Sequence, residues 1–186
     1  MKTVFNEMKK KKSGVPAHIL PIFAKIIHKH DIGAPSLPPE CEDEFYKAME
    51  QHLTETQRFN IYAQAGGCKG IGADKERLAF AKTHAHLPLN ERIQKFNELF
   101  NRNIDYLDEQ TMAVHFKCHH GYYLRAREGK DFNLPGSIKS YFERCAGGRL
   151  YEYEKALGVN LRIKAVDISP LIQCKQNPVL FIFEIK

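Results

Sequence analysis

Apolar residues in the first half of the chain recur every three or four positions, which is the spacing of an amphipathic helix. A first helix is expected to begin at Pro16 and to end before Gly33, because proline fits a first turn and glycine ends helices. Acidic residues at 40–44 favour the start of a second helix, where the helix dipole attracts negative charge. This second helix is expected to reach Ala65, with or without a break near Thr54.

The second helix is followed by a stretch at 66–72 that has four glycines in seven residues. It lacks the Lys-Ser/Thr pair of a phosphate-binding P-loop, and it follows a helix where a dinucleotide fingerprint needs a strand. We therefore interpret it as a turn that leads into a helix at 75–82, with Asp74 as the candidate cap. A further helix is expected from Pro88. Its inner face contains Leu89, Ile93, Phe96, Leu99 and Phe100.

From Ile104 onward the period of the apolar residues falls from about 3.6 to 2, which indicates strands. Residues 104–107 and 111–117 are expected to form a β-hairpin, and 160–168 and 178–186 are expected to be two further strands. The order of elements predicts an α+β fold in which N-terminal helices are followed by a four-stranded antiparallel sheet.

One more helix is expected between the hairpin and the last two strands. Its apolar face contains Ile138, Tyr141, Phe142 and Cys145, spaced at i, i+3, i+4 and i+7. Whether Gly147 and Gly148 interrupt this helix before it ends at Gly158 is left open. The interruption matters for Arg144 and Arg149, which lie about 140° apart around a continuous helix and converge on one ligand only if the helix is broken.

Length and composition are those of an ordinary globular protein. The chain has 186 residues, of which 43% are hydrophobic and 27% charged, and no apolar run approaches the ~18 residues of a membrane span. No membrane association is therefore expected. Residues 1–15 include a lysine run at 9–12 and are expected to be a mobile basic tail. Residues 16–186 are expected to be a single α+β domain, with a helical part at 16–103 and a sheet part at 104–186.

Charge and cysteine content restrict the partners and the compartment. The formal net charge of +6 permits a phosphate-bearing partner, but no aromatic residues interleave with the lysines, so nucleic acid is not an expected partner. The five cysteines are odd in number and widely spaced, which argues against a disulfide framework. The N-terminal stretch has no apolar segment of a secretory leader. A reducing, cytoplasmic location is therefore expected, and the oligomeric state is left open.

The densest group of candidate metal ligands is Cys118-His119-His120, at the end of a predicted strand. Cys68 and Cys145 each lie near paired glycines that allow close backbone approach, and they would complete a site of soft donors. The candidate ligands are therefore Cys68, Cys118, Cys145 and His120, with zinc or another transition metal as the candidate cofactor. No Cys-x-x-Cys or His-x-x-x-His spacing is present, so the cofactor stays open.

A second interpretation of the same residues is a cysteine-dependent hydrolase or redox enzyme. Cys118 or Cys145 would be the nucleophile, and His120 or His119 would be the general base. Such a cysteine needs an electropositive, partly exposed pocket, and lysine and arginine residues nearby in the sequence can provide the field. A third interpretation is that both cysteines are small core residues packed on apolar faces.

The order of elements from 104 to 186 resembles a known family. A hairpin ending in a cysteine is followed by Cys-Ala-Gly-Gly-Arg-Leu, by a helix ending in Ala-Leu-Gly-Val, by a strand, and by a cysteine shortly before a final strand, Phe-Ile-Phe-Glu-Ile. This arrangement resembles the 4-vinyl reductase type of small-molecule-binding domain and its cysteine-containing bacterial relatives. The resemblance implies a pocket between the sheet and the helices that binds a small ligand.

The interpretation we favour is a domain that binds a small anionic ligand in a pocket that is otherwise apolar. Arginine would bind the acid group of the ligand, and glycine would allow close approach of the backbone. The candidate ligand-binding residues are His119, Tyr122, Arg144, Gly147, Gly148 and Arg149.

Overall fold

The computed structural model describes residues 1–30, 39–67, 69–118, 138–174 and 176–186. These residues divide into two compact units. The first unit comprises 1–30, 39–67 and 138–147, and the second comprises 69–118, 148–174 and 176–186. Residues 69–103, which precede the first strand, share the second unit with the sheet.

The described residues form eight α-helices and four strands, so the predicted α+β class is confirmed. The helices are α1 (Lys2–Met8), α2 (Leu20–His30), α3 (Pro39–His52), α4 (Glu55–Ala65), α5 (Asp74–His84), α6 (Leu89–Phe100), α7 (Ile138–Leu157) and α8 (Ser169–Gln173). The strands are β1 (Ile104–Asp108), β2 (Thr111–Phe116), β3 (Leu161–Asp167) and β4 (Val179–Ile185). In this part of the chain, no helix combines the length and the apolar character needed to cross a membrane.

The basic start of the chain is a packed helix, and the expectation of a mobile tail at 1–15 is wrong for most of that stretch. Val4 and Met8 lie one turn apart on α1 and are 0% and 1% exposed, in the core of the first unit. The turn after α1 is also fixed, because the Ser13 hydroxyl donates to the Met8 carbonyl oxygen at 2.8 Å. The helical spacing of Val4 and Met8 therefore predicts the structure of this stretch better than the lysine run that follows them.

The second helical stretch, for which a break near Thr54 was left open, is two helices, and the break falls at Thr54. Thr54 and Gln57 form a capping box at the start of α4: the Thr54 hydroxyl accepts from the Gln57 backbone N–H at 3.2 Å. The Gln57 side chain in turn accepts from the Thr54 backbone N–H at 2.9 Å. Both donors would otherwise lack an intrahelical partner, so the cap stabilises a new helix start.

A buried ion pair joins α4 to α7 inside the first unit. The Arg58 guanidinium donates to Glu143 at 2.6 and 2.8 Å, and the Glu143 side chain is 0% exposed. Arg58 also donates to the Leu53 carbonyl oxygen at 2.9 Å. A buried carboxylate is tolerated when it is paired and hydrogen-bonded, as Glu143 is here.

The second unit contains one antiparallel sheet with strand order β1-β2-β4-β3. The central strands pair Met112 with Phe183 and Val114 with Phe181, so the apolar residues that alternate along each strand share one face. The prediction that the hairpin and the last two strands belong to one antiparallel sheet is therefore confirmed.

Helix α6 and residues 148–157 of α7 cover the apolar face of the sheet. Tyr153 carries the contact: its ring lies 5.9 Å from that of Phe96 and 6.2 Å from that of Phe183, both nearly perpendicular to it. Such edge-to-face pairs are a favoured aromatic geometry. Leu99 departs from the prediction, because it was placed on the inner face of α6 and is 66% exposed.

Helix α7 is continuous through Gly147 and Gly148, so the break on which the Arg144–Arg149 clamp depended is absent. Gly147 instead allows α7 to approach α4 closely. A Cβ on Gly147 would overlap the carbonyl oxygen of Tyr62 and would lie 3.1 Å from the Cα of Gly66. The predicted end of the helix is confirmed at Gly158, which has a φ of +65°.

We expect Gly147→Ala to destabilise the protein by about 1 to 3 kcal/mol, because the added methyl group forces α4 and α7 apart. Helix propensity alone predicts the opposite sign, since alanine is favoured over glycine inside a helix by about 1 kcal/mol. The free energy of unfolding from urea denaturation measures the effect. Gly72→Ala is the control, because a Cβ there meets nothing within 4 Å. A Gly147→Ala variant as stable as the parent would show that the helices can separate without cost.

Candidate functional site

A cleft of about 370 Å³ lies at one end of the sheet in the second unit, where β1 and β4 begin and β2 ends. It is lined by Asn101, Arg102, Asn103, Val114, His115, Phe116, Lys117, Arg149, Tyr153 and Pro178. Residues from both faces of β2 contribute, because the cleft is at the strand end. Its volume is within the range of small-molecule sites, which is about 300 to 1,000 Å³.

The ionisable groups that distinguish the lining of the cleft are basic. Four of the lining residues are basic, and none of these described lining residues has a carboxylate. The other lining residues contribute apolar side chains, amide side chains or backbone groups. Burial raises the pKa of the Tyr153 hydroxyl above its ordinary value, so this group stays neutral. A site of this composition favours an anion that also has an apolar part.

Arg102 is held in place by three hydrogen bonds. Its Nε and Nη2 donate to Glu152 Oε1 at 3.0 and 2.8 Å, and its Nη1 donates to the Phe100 carbonyl oxygen at 3.0 Å. A guanidinium has five N–H donors, so among the described residues one N–H on each terminal nitrogen is left over. Arg102 therefore keeps donor capacity at the cleft while its position is fixed.

Arg149 reaches the same carboxylate from helix α7. Its Nη1 pairs with Glu152 Oε2, and its guanidinium carbon lies 5.7 Å from the centre of the Phe116 ring. Phe116 in turn stacks on Phe181, with ring centres 5.0 Å apart. A cation over an aromatic face is attracted to it, so Phe116 helps to orient Arg149 toward the cleft.

Arg77 is the third arginine near Glu152, with its Nη2 3.8 Å from the carboxylate, and it connects the ion cluster to the glycine-rich turn. Its Nη1 donates to the carbonyl oxygens of Lys69 and Gly70 at 2.8 and 3.0 Å. Two carbonyl groups of this turn thus face a cation, which agrees with the interpretation as a structural turn and not as a phosphate cradle. Gly70 adopts a φ of +57° that suits glycine.

Asp74 completes the cluster behind the cleft. Its carboxylate accepts from the Tyr151 hydroxyl at 2.6 Å and pairs with Lys155 at 3.0 Å and with Arg77 at 3.1 Å. The hydrogen bond from Tyr151 is the largest cause that lowers the pKa of the Asp74 carboxyl, followed by the interactions with Lys155 and Arg77. Asp74 was expected to be a helix cap, but it is the first residue of α5 and its side chain serves the cluster.

His115 and Lys117 form the other basic part of the cleft. The His115 ring lies 2.8 Å from a carboxylate oxygen of Asp105 on β1, and its backbone N–H donates to the Asn103 carbonyl oxygen at 2.9 Å. Lys117 follows the strand and is exposed. These contacts fix the histidine at the rim and leave the lysine side chain in contact with solvent.

Arg144, the second arginine of the expected clamp, belongs to the first unit. Its Nη1 donates to the Tyr46 hydroxyl at 3.0 Å and to Glu42 at 3.3 Å. Burial raises the pKa of Tyr46, so that this hydroxyl stays neutral beside the arginine. Arg144 is therefore engaged within its own unit, and Arg149 is the predicted ligand-binding arginine that lines the cleft.

Two of the candidate cysteines, Cys118 and Cys145, are buried. Cys118 is 3% exposed in the second unit, and Cys145 is 4% exposed on α7 in the first unit. A reactive thiol needs access to its substrate, and these positions fit packed core residues. The other predicted site residues, Cys68, His119, His120 and Tyr122, lie outside the described residues. Within the described ranges no three His, Cys, Asp or Glu side chains converge as metal ligands.

Sequence reasoning missed two residues that organise the site, Arg102 and Glu152. Arg102 stands between two asparagines, Asn101 and Asn103, at the junction of a helix and the first strand. Asn101 has a φ of +48°, a conformation that ends α6 and turns the chain into the sheet. A polar tripeptide at a helix-to-strand junction is a signal that could have identified the rim of the cleft. Glu152 has only a partial signal, because Arg149 lies one helical turn before it, whereas its other partners Arg77 and Arg102 are distant in sequence.

Comparison of the chain with protein-family models, with curated proteins and with solved structures finds no match in any of the three. The resemblance of 104–186 to the 4-vinyl reductase type therefore stays a prediction.

We expect Tyr151→Phe to raise the pKa of Asp74 toward its ordinary value, because the largest stabilising hydrogen bond to the carboxylate is lost. A lowered pKa adds stability that is present above the unfolded pKa of about 4 and is lost as pH falls through the folded pKa. The variant should therefore be less stable than the parent at pH 7, and this difference should shrink on acidification. Carboxyl NMR titration and urea unfolding at several pH values measure both effects.

Tyr106→Phe is the matched control, since Tyr106 is on β1 and is not a partner of Asp74. An Asp74 pKa that is the same in the parent and in Tyr151→Phe would mean that the hydroxyl does not stabilise the carboxylate.

Proposed function

We propose that this protein binds a small anionic ligand in the cleft at the end of the sheet. The observation that carries the proposal is the lining of the cleft, in which four basic residues and no described carboxylate surround about 370 Å³. Arg102 and Arg149 are the principal anion-binding groups, because both are already oriented by Glu152. Preorganised side chains lose less entropy on binding, which raises affinity.

The rest of the cleft favours a ligand with an apolar body. Phe116 and Pro178 are partly exposed, and they offer an apolar surface beside the basic groups. Most lining residues fall within 104–186, the region whose resemblance implies a small-molecule pocket next to the sheet. We place this binding function in the reducing cytoplasm, for which the odd number of widely spaced cysteines is the support.

We expect aromatic anions such as benzoate and phenyl phosphate to bind more tightly than the neutral analogue benzamide. Replacing Arg102 or Arg149 with glutamine should weaken anion binding by about ten- to a hundred-fold, because a charge-assisted hydrogen bond contributes about 1.5 to 3 kcal/mol. Isothermal titration calorimetry measures the affinities, and circular dichroism checks that each variant is folded.

Lys164→Gln is the matched control, because it removes one positive charge from an exposed position on β3 that does not line the cleft. It should bind the anions as the parent does. If benzamide binds as tightly as the anions, or if the arginine variants behave like Lys164→Gln, the cleft does not select anions and the proposal is wrong.

A further inference from the structure

We propose that the groove between helices α2 and α3 is a docking surface for an acidic amphipathic helix of another protein. The groove has a volume of about 650 Å³ and lies within the first unit. It is lined by Ile22, Lys25, Ile26, Lys29, Glu44, Lys47, Ala48, Gln51 and His52. It shares no residue with the cleft, so the proposal is independent of anion binding there.

The groove is elongated along the helix pair. Its lining residues span 22–29 on α2 and 44–52 on α3. At a rise of about 1.5 Å per residue each span is about 10 to 12 Å long, or about two helical turns. A seam of this length between two packed helices suits a third helix, whose side chains fill the space between the two rows of residues. Binding of an amphipathic helix in a groove of another protein is a common mode of peptide recognition.

The apolar floor of the groove is fixed by the core beneath it. The Phe23 and Phe45 rings, one from each helix, are both 0% exposed, and their centres lie 4.9 Å apart. Ile26 and Ala48 line the groove but are only 6% and 5% exposed, so they form its floor. Ile22 is more exposed than these two and adds apolar surface. A floor that is already ordered lowers the entropy cost of docking.

The one carboxylate among the described lining residues is already engaged. Glu44 accepts from Lys29 Nζ at 2.9 Å, and His30 Nε2 lies 2.8 Å from the same carboxylate oxygen. These two hydrogen bonds, that with His30 first, lower the pKa of the Glu44 carboxyl. Glu44 and Lys29 therefore compensate each other in charge.

The other two lysines of the groove are exposed, one on each side of the floor. Lys25 is on α2 and Lys47 is on α3. Neither forms an ion pair with a carboxylate in the part of the chain that the structure describes. Once Lys29 is matched with Glu44, the lining keeps two positive charges that are available to a partner. The complementary surface has negative charge on both of its edges.

Shape and charge together define the partner. The apolar stripe of the docked helix contacts the floor, and carboxylates on both sides of that stripe meet Lys25 and Lys47. A helix with lysine in those places faces like charges, so the groove selects against it. One exposed ion pair contributes little by itself, and for this reason affinity depends on the two lysines together with the apolar contact.

The test measures the binding of three synthetic peptides by fluorescence anisotropy. The first is an amphipathic helix of about fifteen residues, long enough to form a helix, with a stripe of leucine and with glutamate on both edges of the stripe. In the second peptide, glutamine replaces every glutamate. The third has the composition of the first in an order that removes the stripe. We expect the first peptide to bind at least about fivefold more tightly than either of the others.

Lys25→Gln and Lys47→Gln should each weaken binding of the first peptide by about two- to fivefold, and the double variant by about the product of the two effects. Lys95→Gln is the matched control, because it removes one positive charge from an exposed position on α6 that does not line the groove. Circular dichroism checks that each variant is folded. Backbone amide NMR should show the largest shifts within 22–29 and 44–52.

Each contrary result overturns the proposal. Equal binding of the first two peptides means that charge does not select the partner, and equal binding of the third means that no apolar stripe is needed. Lysine variants that bind as Lys95→Gln does place the peptide elsewhere. If the first peptide does not bind, and Lys25→Gln weakens binding to phosphatidylserine vesicles, the groove faces a membrane surface instead. None of these results bears on the anion site of the cleft.

Discussion

The buried carboxylate of Glu152 is the constraint on which the second unit depends. It is 1% exposed, and an ion removed from water costs several kcal/mol unless partners compensate it. The compensation comes from Arg77 on α5, from Arg102 before β1 and from Arg149 on α7, so one charge connects three elements. The same contacts that make the burial tolerable hold two guanidiniums at the mouth of the cleft. The stability of this unit and the anion binding proposed for it thus depend on the same carboxylate.

The regular elements could be predicted because each has a clear apolar period. The strand residues Met112 and Val114 and their partners on β4 alternate without interruption, and the turn at Gly158 needs the positive φ that glycine adopts readily. The prediction was wrong where a second property masked the period. The lysine run at 9–12 is typical of a solvated tail, whereas Val4 and Met8 just before it have the spacing of four that is typical of a packed helix.

The candidate site could be predicted only in part. Arg149, a predicted ligand-binding residue, lines the cleft, but its predicted partner Arg144 belongs to the other unit, and α7 continues through both glycines between them. Arg102 is the actual neighbour of Arg149 at Glu152, although 50 positions separate Arg102 from Glu152 in the sequence. A contact between distant positions follows from the packing of whole elements, and periodicity describes each element only by itself. Burial of an ion such as Glu152 likewise cannot be read from one sequence, since the same residue type is usually exposed.

The contact at Gly147 bears on how this protein can change over evolutionary time. Because the backbone of Tyr62 occupies the space that any side chain at 147 would need, substitutions there must be accompanied by movement of α4. Open positions such as Gly72 carry no such restriction and can diverge freely. Distant sequences that share this helix pair should therefore retain glycine at the equivalent place while their surfaces differ. That single position gives a physical criterion for judging whether a remote alignment to this chain is correct.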